Sequence, residues 1–317
     1  MDLFTKLQPV WIIAAAGVGL LLGYVTPFGK FSVYLVEPFL MVLLYFVFLS
    51  VDGSRFRESV KNLRFTLTAV VINFIWTPLF AWLLGRLFFA QSVDLQMGLV
   101  MLLVTPCTDW YLVFTGLAKG NVELGASILP LNLLLQILLL PVYLMLFFGG
   151  TVQMNHSQVI LSIVFVLIIP FAASLLTKAI GKQRPDWNNK IDRLKEFGDQ
   201  MQLIFLCLAV ISMFASESKD VFENPELLIR MLLPVLLFFC VNFFAARLAG
   251  RAMKFPGEDI TALNFTTLAR NSPLSLAIAV AAFPDRPLIA LALVIGPLIE
   301  LPSLGVIAGI INTGNKK

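Results

Sequence analysis

The sequence predicts an all-α membrane protein of ten transmembrane helices, arranged as two inverted five-helix repeats. Of its 317 residues, 59% are hydrophobic and only 13% charged, outside the balance of a soluble domain. Apolar runs of roughly 18 to 28 residues recur from end to end, each long enough to cross a hydrocarbon core about 30 Å thick as a helix. The alternating pattern of a lipid-facing barrel strand is missing from the sequence, so helices must do the spanning.

The first span, 9–26, begins close to the start; no small-residue cleavage site followed by a soluble domain appears, so it is read as a retained span rather than a signal peptide. Spans two and three, 33–51 and 65–89, flank a basic loop. Spans four and five, 95–118 and 121–148, nearly abut at Lys119 and Gly120. Spans six and seven, 157–180 and 195–216, enclose the most basic loop, and spans eight to ten cover 228–248, 257–284 and 287–313. Nothing between spans exceeds about 16 residues, which leaves no room for a nucleotide-binding domain, and no phosphate-cradling glycine loop is present. Transport would draw on a gradient. No cofactor and no nucleic-acid partner is expected.

Orientation follows from where Lys and Arg fall. With both termini and alternate loops on one side, that side holds seventeen of the 23: Lys6; Arg55, Arg57, Lys61 and Arg64; Lys119; Lys178, Lys182, Arg184, Lys190, Arg193 and Lys195; Arg247, Arg251 and Lys254; Lys316 and Lys317. Both termini are therefore expected in the cytoplasm, with the chain in the cell's inner membrane. The basic stretch 178–195 is a topology signal and also a candidate surface for anionic lipid.

An odd number of spans per half turns the second half upside down relative to the first. Residues 1–150 and 151–317 are the expected repeats. Adding 167 to Pro106, Lys119 and Pro130 gives Pro273, Arg286 and Pro297, and Thr105 falls on Ser272. Around these prolines, Thr105-Pro106-Cys107-Thr108-Asp109 and Arg270-Asn271-Ser272-Pro273 interrupt apolar spans with polar residues. Proline removes a backbone donor and obstructs a carbonyl one turn back. The two segments read either as broken helices that pool exposed backbone and side chains into one site, or as plain kinks.

Burying ionisable side chains in a span is costly, so Asp109, Arg270 and Glu300 need partners or a task. Asp109 and Arg270 come from opposite halves, each near its break. A salt bridge between them would be either structural or a coupling device that opens when a proton or substrate arrives. Glu300, between Pro297 and Pro302 near the middle of the last span, is the candidate proton carrier; the alternative is a hydrogen-bonded structural carboxyl. Cys107 follows a proline at a break. A thiol is a soft ligand for metalloids, though a span cysteine also serves as a small hydrophobe. Cys207 and Cys240 read as packing residues. Thr108, Asn271 and Ser272 are candidate substrate contacts. Asn73, with Trp76, Thr77 and Pro78, and Asn132 with Gln136 at i, i+4 spacing, place supporting amides at depth, where such groups tie helices together. Glu37 and Glu123 lie nearer span ends, and His156 falls in a short loop.

On these residues the chain resembles the bile acid:sodium symporter superfamily, and within it the arsenite efflux transporters. The resemblance is carried by Cys107, Leu117-Ala118-Lys119-Gly120, Leu131-Asn132, Gln136, Val142-Tyr143 and Val294-Ile295-Gly296-Pro297-Leu298-Ile299-Glu300-Leu301-Pro302. It implies a core domain moving against a panel domain, with spans four and nine unwound where they cross. It further implies that Cys107 and Glu300 are the functional pair and that arsenite leaves against inward proton movement. Sodium-coupled relatives hold two ions with a Ser-Asn pair in span four and a Glu and Gln in span nine. Here those positions are Tyr111, Leu112, Thr266 and Arg270, which removes most of the ligands and puts a fixed cation where one ion would sit. Asp109, Arg270 and Ser275 also depart from the arsenite group.

The expected function is secondary export of arsenite, with antimonite the next candidate. Cys107 is the thiol that touches the metalloid. The alternative is a sodium- or proton-coupled carrier of organic anions, bile-acid-like or small carboxylates, that bind at Arg270. A membrane-embedded enzyme is not expected, because no nucleophile with a matching base or metal cluster is readable.

Overall fold

The computed structural model describes residues 8–50, 61–107, 110–150, 168–180, 194, 197–216, 218–223 and 226–314, and every regular element among them is helical. Four helices are each long and apolar enough to cross a membrane: Leu63–Phe88, Leu129–Phe148, Ile229–Ala252 and Pro287–Asn312. The chain forms two compact units, one from the described parts of Met1–Val51, Met154–Leu227 and Pro273–Val294, the other from those of Asp52–Gln153, Leu228–Ser272 and Ile295–Lys317. Each unit draws on both halves of the sequence.

The first unit is built on α1 (Gln8–Val25) and α2 (Phe28–Ser50), with α8 (Ile168–Ile180) and α9 (Gly198–Ser216). Without a hydrophobic drive between helices in lipid, close packing must come from small residues. Gly19 and Gly23, one turn apart on α1, supply it against α9. A methyl group at Gly19 would sit 2.6 Å from the Ile211 carbonyl, and one at Gly23 would run into the Ala215 carbonyl. Aromatic contacts join α2 to α9, with Phe39 and Phe46 at 6.1 and 6.3 Å from Phe205. Polar ties hold α8 to α2: Tyr45 Oη lies 3.0 Å from Thr177 Oγ1, and Lys178 Nζ donates to the Phe48 carbonyl at 2.9 Å.

The second unit contains α3 (Leu63–Phe88), α4 (Val93–Val104), α5 (Trp110–Leu117), α6 (Val122–Ser127), α7 (Leu129–Phe148), α11 (Glu226–Ala252) and α12 (Gly257–Leu268). It also takes most of α14 (Pro287–Gly314). The short α10 (Ser218–Glu223) precedes α11, and α13 (Ser272–Ala282) follows α12.

Prolines shape this unit through the carbonyls they displace. Pro78 has no N–H for the Phe74 carbonyl, and α3 widens to a π turn at Ile72–Trp76. The freed Phe74 carbonyl accepts from Tyr143 Oη at 2.7 Å. Span five, expected as one helix, is two: α6 ends at Ser127 and α7 starts at Leu129 with Pro130 in its first turn, where a missing N–H costs least. Span four is likewise two pieces, α4 and α5, and span nine is α12 and α13, with the breaks where the polar segments lie.

Substituting Gly23 with leucine is expected to lower the melting temperature of the detergent-solubilised chain, since forced overpacking costs about 1–3 kcal/mol. An unchanged transition would mean that α1 and α9 do not approach there.

Candidate functional site

A helix that stops inside an apolar medium leaves its last carbonyls without donors. In α4 the last turn finds them in three places. Thr105 Oγ1 reaches the Met101 and Leu102 carbonyls at 3.0 and 3.4 Å. Arg270 Nη1 donates to the Leu103 carbonyl at 2.9 Å, and the Asn271 N–H donates to the Thr105 carbonyl at 2.7 Å. Thr105 itself is extended, with φ −104° and ψ 102°.

The end of α12 is served in the same way. Asn73 Nδ2 donates to the Thr266 carbonyl at 3.2 Å. Asn242 Nδ2 reaches the Thr267 carbonyl at 3.3 Å, and Arg270 Nη2 donates to the same oxygen. Arg270 Nε takes the Leu268 carbonyl at 3.0 Å, and the Cys107 N–H takes that of Ala269 at 2.9 Å. The two extended stretches run antiparallel, with Pro106 opposite Arg270.

Arg270 is thus the shared cap. It is 3% exposed, and its guanidinium donates to carbonyls from both broken helices, donates further to Asn73 Oδ1 at 3.2 Å, and lies 5.1 Å over the Phe238 ring. Cationic groups are favoured at helix C-termini, and here two such ends meet one cation. Glu300 enters through the backbone: its Oε1 accepts the Arg270 N–H at 2.7 Å, a donor that the break leaves without a helical partner. Close approach of α14 depends on Gly296, where a methyl group would run into the Leu102 side chain.

Of the residues singled out in the sequence, Cys107, Arg270, Asn271, Ser272, Glu300 and Asn73 are buried at the breaks. Cys107 lies within the electrostatic reach of Arg270. Thr108 and Asp109 lie outside the described residues, as does His156. Asn132 ties α7 to α12 through Thr266 Oγ1 at 3.2 Å. Its Oδ1, both amide atoms of Gln136 and the Ser272 hydroxyl are buried without a hydrogen-bond partner. Such atoms mark room for water or a polar ligand. Among the described residues no group of acidic, cysteine and histidine side chains could hold a metal ion, and all three cysteines are free.

Asn242 was not singled out, although an amide inside the apolar run of span eight is the same signal that marked Asn73. It accepts from Trp76 Nε1 at 2.8 Å and donates to Thr77 Oγ1 at 3.2 Å, linking the π turn to the end of α12.

Apolar helices long enough to span, together with two broken helices that meet at a buried polar crossing, define a multi-pass membrane transporter. The chain belongs to the Sodium Bile acid symporter family, whose profile matches residues 37–224; this is a family of transporters, not enzymes. The chain is 24% identical to the arsenical-resistance protein Acr3 of Corynebacterium glutamicum, over 94% of its own length and 86% of that protein's. It is also 24% identical to Acr3 of Alkaliphilus metalliredigens, over 94% and 89%. To the Bacillus subtilis protein YbaS it is 28% identical, over 80% of each chain.

Lysine keeps the charge of Arg270 but not the planar fork that reaches several acceptors at once. Arg270→Lys is expected to lower the melting temperature more than Asn73→Ala, which frees the Thr266 carbonyl and one Arg270 N–H at a cost of about 1–3 kcal/mol each. Two equally small shifts would show that the guanidinium does not hold the breaks.

Proposed function

We propose that this protein is a secondary transporter that exports arsenite, with Cys107 as the thiol ligand and Glu300 as the carrier of the coupling proton. The observation that carries the reading is the placing of Cys107 inside the paired helix breaks, buried, with its N–H on the Ala269 carbonyl. Similarity to proteins named for arsenical resistance over 94% of the chain supports it.

The chemistry fits a neutral substrate. Arsenous acid brings three hydroxyls and a soft arsenic centre. As sulfur bonds to arsenic, the thiol proton leaves with one hydroxyl as water, and water reverses the step on release. The remaining hydroxyls find unpartnered polar atoms in Ser272, Asn132 and Gln136, with Asn271 and Thr108 beside the breaks in sequence. Glu300 senses protons through the Arg270 N–H. A neutral carboxyl is a weaker acceptor than a carboxylate, so protonation loosens one tie at the second break and the loss of the proton restores it. In this reading Asp109 takes part in coupling beside Glu300. The spans number ten, residues 1–150 and 151–317 are inverted repeats, a core moves against a panel, and both termini face the cytoplasm across the inner membrane.

The organic-anion alternative requires Arg270 to bind the substrate. Four N–H groups of its guanidinium, out of the five an arginine carries, already serve the Leu268, Leu103 and Thr267 carbonyls and Asn73. An anion would have to displace helix ends to reach them, which speaks against that alternative. Sodium coupling is disfavoured for the same reason, because the oxygens at the breaks already surround a cation.

Everted vesicles with an imposed proton gradient should accumulate arsenite, and Cys107→Ser should abolish the accumulation while leaving the protein folded. Native protein that moves an organic anion such as taurocholate but no arsenite would overturn the reading. In the same vesicles, Glu300→Gln should erase the dependence of transport on the gradient; an unaltered pH profile would remove Glu300 from coupling.

A further inference from the structure

On the second unit, away from the breaks, α3, α11 and α14 border a groove of about 700 Å³. Its walls are apolar, formed by Trp76, Phe243, Leu248 and Ile311 among others, and Arg247 and Arg251 stand along one wall at its end. The two arginines are one turn apart on α11, within each other's field. Arg247 lies 5.1 Å from the Phe243 ring centroid. Among the described residues no carboxylate or hydrogen-bond acceptor pairs with either guanidinium.

Two like charges held together without a counter-ion beside an apolar slot call for an amphipathic anion. Arg251 is next to last in its span, at the depth of a headgroup, and Trp76 also lines the slot. Leu248 and Phe244 are 72% and 64% exposed, so no described helix covers this wall. We propose that the groove binds one anionic phospholipid, with its phosphodiester on Arg247 and Arg251 and an acyl chain along Trp76, Phe243 and Ile311. The site is distinct from the helix breaks but connected to them. Trp76 donates to Asn242, whose amide shares the Thr267 carbonyl with Arg270, so an occupied groove steadies a residue that steadies the crossing.

Native mass spectrometry of the purified full chain, offered equal amounts of phosphatidylglycerol and phosphatidylcholine, tests the assignment. Basic side chains at a membrane surface each add to anionic lipid affinity, and two predict retention of phosphatidylglycerol about thirtyfold above phosphatidylcholine. Arg247→Gln with Arg251→Gln should bring the two lipids to within about twofold of each other, whereas the double lysine variant should keep the preference. Equal retention by the native chain, or an undiminished preference in the glutamine pair, would overturn the proposal. Should the glutamine pair fail to fold, competition on the native chain decides. Millimolar inorganic phosphate that strips the lipid would show an anion site without a chain slot and sink the lipid reading, while lipid that persists supports it.

Discussion

An α-helix that stops inside an apolar slab leaves carbonyls that neither lipid nor its own chain can satisfy, and this chain stops two of them, at Val104 and Leu268, within reach of one guanidinium. Each open carbonyl there would cost several kcal/mol. A planar fork with donors pointing in several directions can serve two helix ends at once, as a compact ammonium cannot. The rest of the site is arranged around that choice. Asn73 and Asn242 take the carbonyls of Thr266 and Thr267, where the guanidinium alone would not suffice, and Phe238 covers its face. Without the cation only the Asn271-to-Thr105 and Cys107-to-Ala269 backbone bonds would pair the two extended stretches.

The same geometry explains why α3 carries a π turn. Asn73 lies within it, and both ends of its amide are used, one on Thr266 and one on Arg270. Widening the helix at Pro78 presents Asn73 to the end of α12 and hands the displaced Phe74 carbonyl to Tyr143 on α7. Three helices are therefore joined through side-chain amides and one phenol rather than through apolar packing alone. Ties of this kind break and re-form with less loss than a packed core, which suits a site whose backbone must shift between states.

Much of this was legible in the sequence, and the remainder was hidden for identifiable reasons. The apolar helices of the described residues follow from hydropathy, and the two breaks from Thr105-Pro106 and Arg270-Asn271-Ser272-Pro273. The break at Ile128 was missed because Pro130 sits in the first turn of α7, a position where proline also fits an unbroken reading of the surrounding leucines. For Arg270 the sequence offered Asp109, the acidic residue at the other break, which lies outside the described residues. Its partners here are main-chain carbonyls, and which carbonyls are open depends on the residue at which each helix ends, a boundary that periodicity fixes only to within a few residues. Glu300 was recognised as a buried carboxyl, but its contact is with a backbone N–H, a donor that exists only because the helix is broken.

Charge balance connects the geometry to the kind of cargo the site accepts. Two half-helix C-termini contribute about half a negative charge each, which together offset the single charge of Arg270. Such a crossing has little residual field for an anion and few free donors, so charge selection of a substrate has no foothold there. A neutral solute held by a thiol and hydroxyl-sized polar atoms meets no such obstacle. Under the proposed reading the one charge that changes during the cycle is then the proton on Glu300. Each proton carried inward moves with the membrane potential, worth about 2.3 kcal/mol per 100 mV, while the neutral cargo moves outward without opposing it. On that reading the fixed cation does more than close the helix ends: it keeps the electrical work of the cycle on the coupling proton.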